Sequence, residues 1–139
     1  MPQNLDQQVS KLHISITTGD DDVRSQSNVH GIAIILQGQQ INSFSKTLNG
    51  GANWKNGSTH DADLEIAQVR VRDIQAFRIV FSSGQPDPFA TQDNWNMDRI
   101  IITYKLDDGT DDILLEQADT PVHRFTGSSS QWEKFFHWV

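Results

Sequence analysis

Apolar and polar residues take turns along most of this chain. Leu12, Ile14 and Ile16 alternate with His13, Ser15 and Thr17. A period of two puts one face of an extended strand against a core and leaves the other in water. Phe77, Ile79 and Phe81 repeat the pattern, as do Ile100, Ile102 and Tyr104 within Arg99–Leu106. Val29–Leu36 is different. It carries Ile32, Ile34, Ile35 and Leu36, apolar on both faces, which reads as a more deeply buried strand. Ile41–Lys46, the stretch around Leu64 and Ile66, Ile113–Glu116 and Val122–Phe125 complete the set with weaker patterns.

The breaks are turn chemistry: Thr18-Gly-Asp-Asp-Asp, Asn49-Gly-Gly, Asn56-Gly, Ser83-Gly-Gln-Pro and Asp107-Asp-Gly-Thr-Asp. About eight short strands separated by such loops predict an all-β fold, an antiparallel β-sandwich in one domain. Residues 1–10 are expected to form a flexible tail and 11–139 the domain. The C-terminus alone has a helical pattern. Ser130-Gln-Trp-Glu133 has the form of a capping box, and Trp132, Phe135, Phe136 and Val139 fall on one helical face. That predicts a short C-terminal helix, with a strand through Phe135–Val139 as the alternative. In either form the aromatic residues are expected to close the core.

Composition narrows the function classes. The chain has 139 residues, a net charge of −7 and no cysteine. A negative chain gains nothing from releasing phosphate counterions, so no nucleic-acid partner is expected. The lack of cysteine removes disulfide scaffolds, thiolate metal sites and thiol nucleophiles. No run reaches the roughly 20 apolar residues of a membrane span, and the polar start lacks a secretory apolar region. A soluble protein is expected, secreted or cytoplasmic. The five histidines show no metal spacing. His60-Asp61 with a serine would be the only triad material, and no Gly-x-Ser-x-Gly elbow accompanies it, so no enzyme is expected.

Several segments, in order, resemble a known family. Ile14-Ser-Ile-Thr-Thr-Gly19 is followed by a polar loop and by Ser27-Asn28-Val29 leading to Leu36-Gln37-Gly38. Then come Trp54-Lys-Asn-Gly57-Ser58-Thr59-His60-Asp61, Asp73-Ile-Gln-Ala-Phe-Arg-Ile-Val-Phe81 and Asp93-Asn-Trp95-Asn-Met-Asp-Arg-Ile100. Together they resemble the PLAT, or lipoxygenase-homology, domain, and within it the bacterial PLAT-like proteins. The resemblance runs over roughly residues 12–126 and implies a non-catalytic module that docks on membranes or proteins.

Strand alternation says where the loops go. Consecutive antiparallel strands reverse direction, so the loops near 19–27, 47–61 and 83–97 gather at one end. That end would hold Asp20, Asp21, Asp22, Asp61, Asp87 and Asp93 with Asn49, Asn53, Asn56, Asn94, Trp54 and Trp95. A hard cation such as calcium takes about 6–8 oxygen ligands from flexible loops. Asp20, Asp21, Asp22 and Asp93 are the candidate metal ligands, against the plain reading that aspartates solvate turns. Arg24 is expected to pair with a nearby aspartate and lock its loop. Trp54, Asn56, Asp61, Asn94 and Trp95 are the candidate binding residues. A loop tryptophan serves a bilayer interface or a sugar ring, though core packing suits Trp95 better. Asp107–Asp112 looks like a calcium loop in its letters only, because Ala118 stands where such a loop needs a glutamate. It reads as a hairpin turn.

The expected function is a non-enzymatic docking module that meets a membrane surface or a protein partner with this end, with calcium as the candidate bridge. The alternatives are a carbohydrate-binding module with Trp54 as platform, and an accessory subunit of a secreted toxin or effector.

Overall fold

The computed structural model describes residues 4–84, 93–126 and 129–138, and Asp87 and Val139 lie outside them. Eight strands follow one another: β1 Gln8–Thr18, β2 Asn28–Gln37, β3 Gln40–Thr47, β4 Thr59–Arg70, β5 Ile74–Ser82, β6 Trp95–Lys105, β7 Asp111–Phe125 and β8 Ser129–Phe135. They form two four-stranded sheets, β4-β1-β6-β7 and β3-β2-β5-β8. Every ladder is antiparallel. The only helical segment among the described residues is a single 3-10 turn, Val71–Asp73.

The period-two residues make the core. Ile14, Ile16, Phe77, Ile79, Phe81, Ile100 and Ile102 are all at most 1% exposed. They project from the inner faces of both sheets and meet in one cluster with Trp95, Phe125, Tyr104 and Leu12. Such sheet-on-sheet packing removes apolar area from water at about 25 cal/mol per Å².

Three expectations need correction. The C-terminal run is a strand. Seven residues of β8, Ser129–Phe135, complete the edge of β5, pairing from Ala76 with Phe135 to Ser82 with Ser129. A short helix would have left that edge of β5 open, and an isolated helix of this length is marginal. Of the aromatic residues expected to close the core, Trp132 and Phe136 pack against the main cluster, as does Trp138, whereas Phe135 faces outward and is 59% exposed. Residues 8–10, placed in the tail, belong to β1, and Val9 is buried. Finally, β2, expected to be the more deeply buried strand, is buried on one face only. Val29, Ala33 and Ile35 point into the core, each 0% exposed, while Ile32, Ile34 and Leu36 face outward and are only half-buried.

Candidate functional site

The loops 19–27 and 48–58 meet at one end with residues 83–84 and 93–94, as strand reversal requires, and backbone hydrogen bonds hold the loops together. Val23 and Trp54 exchange both N–H···O bonds, at 3.1 and 2.9 Å. The Gln26 N–H donates to the Gly51 carbonyl at 2.8 Å, and the Asn96 N–H to the Asp21 carbonyl at 3.2 Å. Gly19 is closed in from the side, because a Cβ there would overlap the Asp98 carboxyl.

Asp93 is the hub of this end. It is 6% exposed. Its Oδ2 accepts from the Arg24 N–H at 2.8 Å and from the Ser27 hydroxyl at 2.9 Å, while its own N–H donates to Ser83 Oγ at 2.6 Å. Burial pushes its carboxyl above the usual carboxylate range, and the bonds from Arg24 and Ser27 offset only part of that. The negative charge of Asp22 adds to the upward push.

Asp21, Asp22 and Asp93 each bring a carboxylate oxygen to within 4.8 Å of the other two. Asp21 Oδ2 also lies 3.1 Å from Arg124 Nη2, and Asp22 Oδ2 accepts from the Asn53 amide at 3.1 Å. The donor set is all oxygen and anionic, which suits a hard divalent cation rather than a soft one. Three carboxylates supply at most six of the oxygens that calcium takes, so neighbouring carbonyls or water would complete the shell.

The other expected residues are placed differently. Asp20 is exposed and sits apart from this trio; its charge, after burial, helps to raise the Asp98 carboxyl. Asp61 faces outward from β4 and lies 3.5 Å from His13 Nε2. Asn56 is exposed on the 48–58 loop and Asn94 is half-buried beside Asp93. Among the described residues, no hydrogen bond links either side chain to the trio. Trp54 is only 4% exposed and Trp95 is 0% exposed, so neither offers a ring to a ligand. Trp95 stacks on Phe125 with centroids 4.8 Å apart, and Trp54 meets it edge-on at 6.0 Å. The Trp95 indole N–H donates to Thr18 Oγ1 at 3.2 Å. The aromatic residues of this end are the floor beneath the loops. Their burial answers to residues distant in sequence, which loop composition does not reveal.

Arg24 ties its loop to Asp93, and its charge acts on that carboxyl. Its backbone binds Asp93, and its guanidinium donates to the Gly84 carbonyl at 2.7 Å. Sequence reasoning missed Arg124, which pairs with Asp21 of the trio. A lone arginine late in an edge strand gave no hint that it would reach the first loop.

Two other arrangements bear on function. Ser58 Oγ lies 2.8 Å from His60 Nε2 and also donates to the Lys55 carbonyl at 2.5 Å. Among the described residues no carboxylate bonds to this imidazole, and Asp61 turns to His13. At the opposite end Asp107–Asp111 is a hairpin turn, as expected: the Leu106 N–H donates to the Thr110 carbonyl, and Asp108 accepts from both the N–H and the hydroxyl of Thr110.

No family model matches the sequence, and no curated protein matches it. Solved structures do match the fold. An alpha toxin of Clostridium perfringens from an avian strain superposes with a TM-score of 0.67 at 18% identity, over 93% of this chain and 32% of the toxin. The alpha toxin of Clostridium absonum gives 0.65 at 14%, over 92% of this chain and 32% of the toxin. An engineered lipoxygenase gives 0.50 at 14%, over 91% of this chain and 16% of the enzyme. The chain thus spans about a third of the toxins and a sixth of the lipoxygenase. At this identity the likeness concerns the fold, and that fold is a PLAT-like β-sandwich.

Proposed function

We propose that this protein is a non-enzymatic docking module whose loop end meets an anionic membrane surface through a bound calcium ion held by Asp21, Asp22 and Asp93. The observation that carries the reading is the convergence of these carboxylates within 4.8 Å from two loops separated by some seventy positions in sequence. A chain of charge −7 is repelled by anionic head groups. A divalent ion at its tip reverses the local sign and shares its remaining coordination positions with lipid phosphate or carboxylate oxygens. The half-exposed Asp21 and Asp22 are placed to hold such an ion at the surface, and the buried Asp93 anchors it to the fold. The burial of Trp54 argues against the sugar-binding alternative, which needs an open ring face. The toxin-subunit alternative draws on the shared fold of the alpha toxins alone.

The test is sedimentation with vesicles of phosphatidylcholine and phosphatidylserine in calcium, magnesium or chelator, beside thermal melts in the same buffers. Calcium is expected to bring the protein down with the vesicles and to raise its melting temperature. At 100 times the Kd the gain is about 2.7 kcal/mol. A protein that ignores millimolar calcium in both measurements does not work this way.

A further inference from the structure

Arg124, near the end of β7, reaches across to the first loop. It stands opposite Asn96 of β6 in the ladder, and its Nη1 donates to Asn96 Oδ1 at 2.7 Å. Its Nη2 lies 3.1 Å from Asp21 Oδ2. Asn96 also holds the Asp21 backbone, since its N–H donates to the Asp21 carbonyl at 3.2 Å. One residue of β6 thus fixes both partners of the ion pair. The Arg124 and Asp21 side chains are 46% and 34% exposed. A pair this well solvated is weak and exchanges easily for a stronger partner.

The pair takes up an oxygen that the carboxylate cluster needs. Asp21, Asp22 and Asp93 bring carboxylate oxygens within 4.8 Å of one another. Both bonds to the buried Asp93 side chain end on Oδ2, so its Oδ1 has no partner among the described residues. A buried carboxylate oxygen without a donor is costly unless a cation meets it. Arg124 bonds to Asp21 and Asn96 and leaves that oxygen unmet. A calcium ion contacts its oxygen ligands at about 2.3–2.6 Å and can serve all three carboxylates. It gains Asp21 Oδ2 only when the arginine lets go. An arginine stays charged at every physiological pH, so the block is lifted by a change of partner and not by titration.

We propose that Arg124 is a built-in competitor for the cation site: it holds Asp21 in the calcium-free protein, releases it when calcium binds, and then offers its guanidinium to a lipid phosphate beside the ion. This rests on the calcium reading above and adds its regulation. A guanidinium grips phosphate oxygens with a fork of parallel N–H bonds, which an ammonium lacks. Without calcium the arginine is held by Asp21. Without a bilayer the released arginine has no anion, and its charge lowers the affinity for the ion. Calcium and the bilayer therefore raise each other's affinity.

Calorimetric titration with calcium, beside cosedimentation with phosphatidylcholine–phosphatidylserine vesicles at saturating calcium, reads both halves. Taking one positive charge away from beside a divalent ion tightens its binding about tenfold at low salt. Arg124→Gln is therefore expected to bind calcium about tenfold more tightly without vesicles, and yet to cosediment less with them. Arg124→Lys keeps the charge and loses the fork, so its calcium affinity should stay near wild type while its vesicle binding falls. Arg72→Gln removes the same charge at the opposite end of the sandwich and should change either quantity by less than about twofold. Calcium binding that is unchanged or weaker in Arg124→Gln overturns the competition and leaves the calcium reading standing. Vesicle binding equal to wild type in both Arg124 variants overturns the phosphate contact. If neither wild type nor Arg124→Gln takes up calcium, the calcium reading falls and this proposal with it.

Discussion

The Trp54 indole lies flat on the His60 imidazole, with ring centroids 4.7 Å apart and planes 6° from parallel. The stack ties the start of β4 to the 48–58 loop, and through the Trp54–Val23 bridge to the loop that carries Asp21 and Asp22. Burial holds the His60 pKa below the ordinary histidine value, and the Asp61 charge offsets part of this. Burial does the same to His123. A depressed histidine contributes stability that is fully present above its unfolded pKa and is lost as pH falls through its folded one. The melting temperature is therefore expected to drop between about pH 7.5 and about pH 5.5, a window above the carboxylates. His60→Gln should flatten that drop. An equal drop in the variant would leave His60 no part in it.

Gly84 is pressed against the neighbouring loop. Its N–H donates to Ser27 Oγ at 3.0 Å, its carbonyl accepts from Arg24, and a Cβ there would overlap the Gln26 backbone. Backbone cannot swing aside as a side-chain tip can. Gly84→Ala should cost about 1–3 kcal/mol, the usual range for overpacking, read as a shift of the urea midpoint. An unchanged midpoint would show that the contact of Gly84 with the 19–27 loop yields easily.

Asp22→Asn separates a cation site from a solvated turn. The amide oxygen can still accept from Asn53, so only the charge is lost. In chelator the variant should be slightly more stable than wild type, because the Asp22 charge adds to the strain on Asp93. In calcium it should be the less stable of the two. The same sign in both buffers rules out a calcium role for Asp22.

Ending the chain at Thr126 removes β8 and the aromatic residues Trp132, Phe136 and Trp138. It bares the ladder edge of β5 and takes away the Trp138 hydrogen bond to the Ile74 carbonyl, 2.9 Å in length. Burying each large side chain fully is worth about 1.5–3 kcal/mol, and these are partly buried, so a loss of several kcal/mol is expected. A truncated chain with an unchanged melting temperature would place these residues outside the stabilising core.

The strands that could be read from sequence were those whose two faces differ. Ile14 and Ile16, and Phe77, Ile79 and Phe81, alternate with polar residues, and their burial follows directly. β4 was seen only as Leu64 and Ile66, because its outward residues are aspartates and a glutamate that resemble loop. β7 looked like two pieces because its middle, Gln117-Ala-Asp-Thr-Pro121, has no apolar rhythm, yet the strand runs unbroken from Asp111 to Phe125. At the loop end, Asp21, Asp22 and Asp93 came together because strand reversal is a topological rule that composition cannot hide. Asp20, the first of the three adjacent aspartates, is exposed and stands outside that group. Whether a tryptophan is floor or platform depends on partners far away in the chain, such as Phe125 under Trp95.

Each sheet takes its strands from both halves of the chain: β1 and β4 join β6 and β7, and β2 and β3 join β5 and β8. The ladder between β1 and β6 and that between β2 and β5 lie at the centre of the two sheets, and both cross the midpoint of the sequence. Neither half can assemble a sheet with its proper centre, so the ordering entropy of both must be met before the decisive contacts form. The molecule consequently folds as one unit and slowly for its size, as non-local β topologies do. The carboxylate cluster, assembled from Asp21 and Asp22 of the first half and Asp93 of the second, comes into being only with the complete fold, so that no fragment made of one half can carry it.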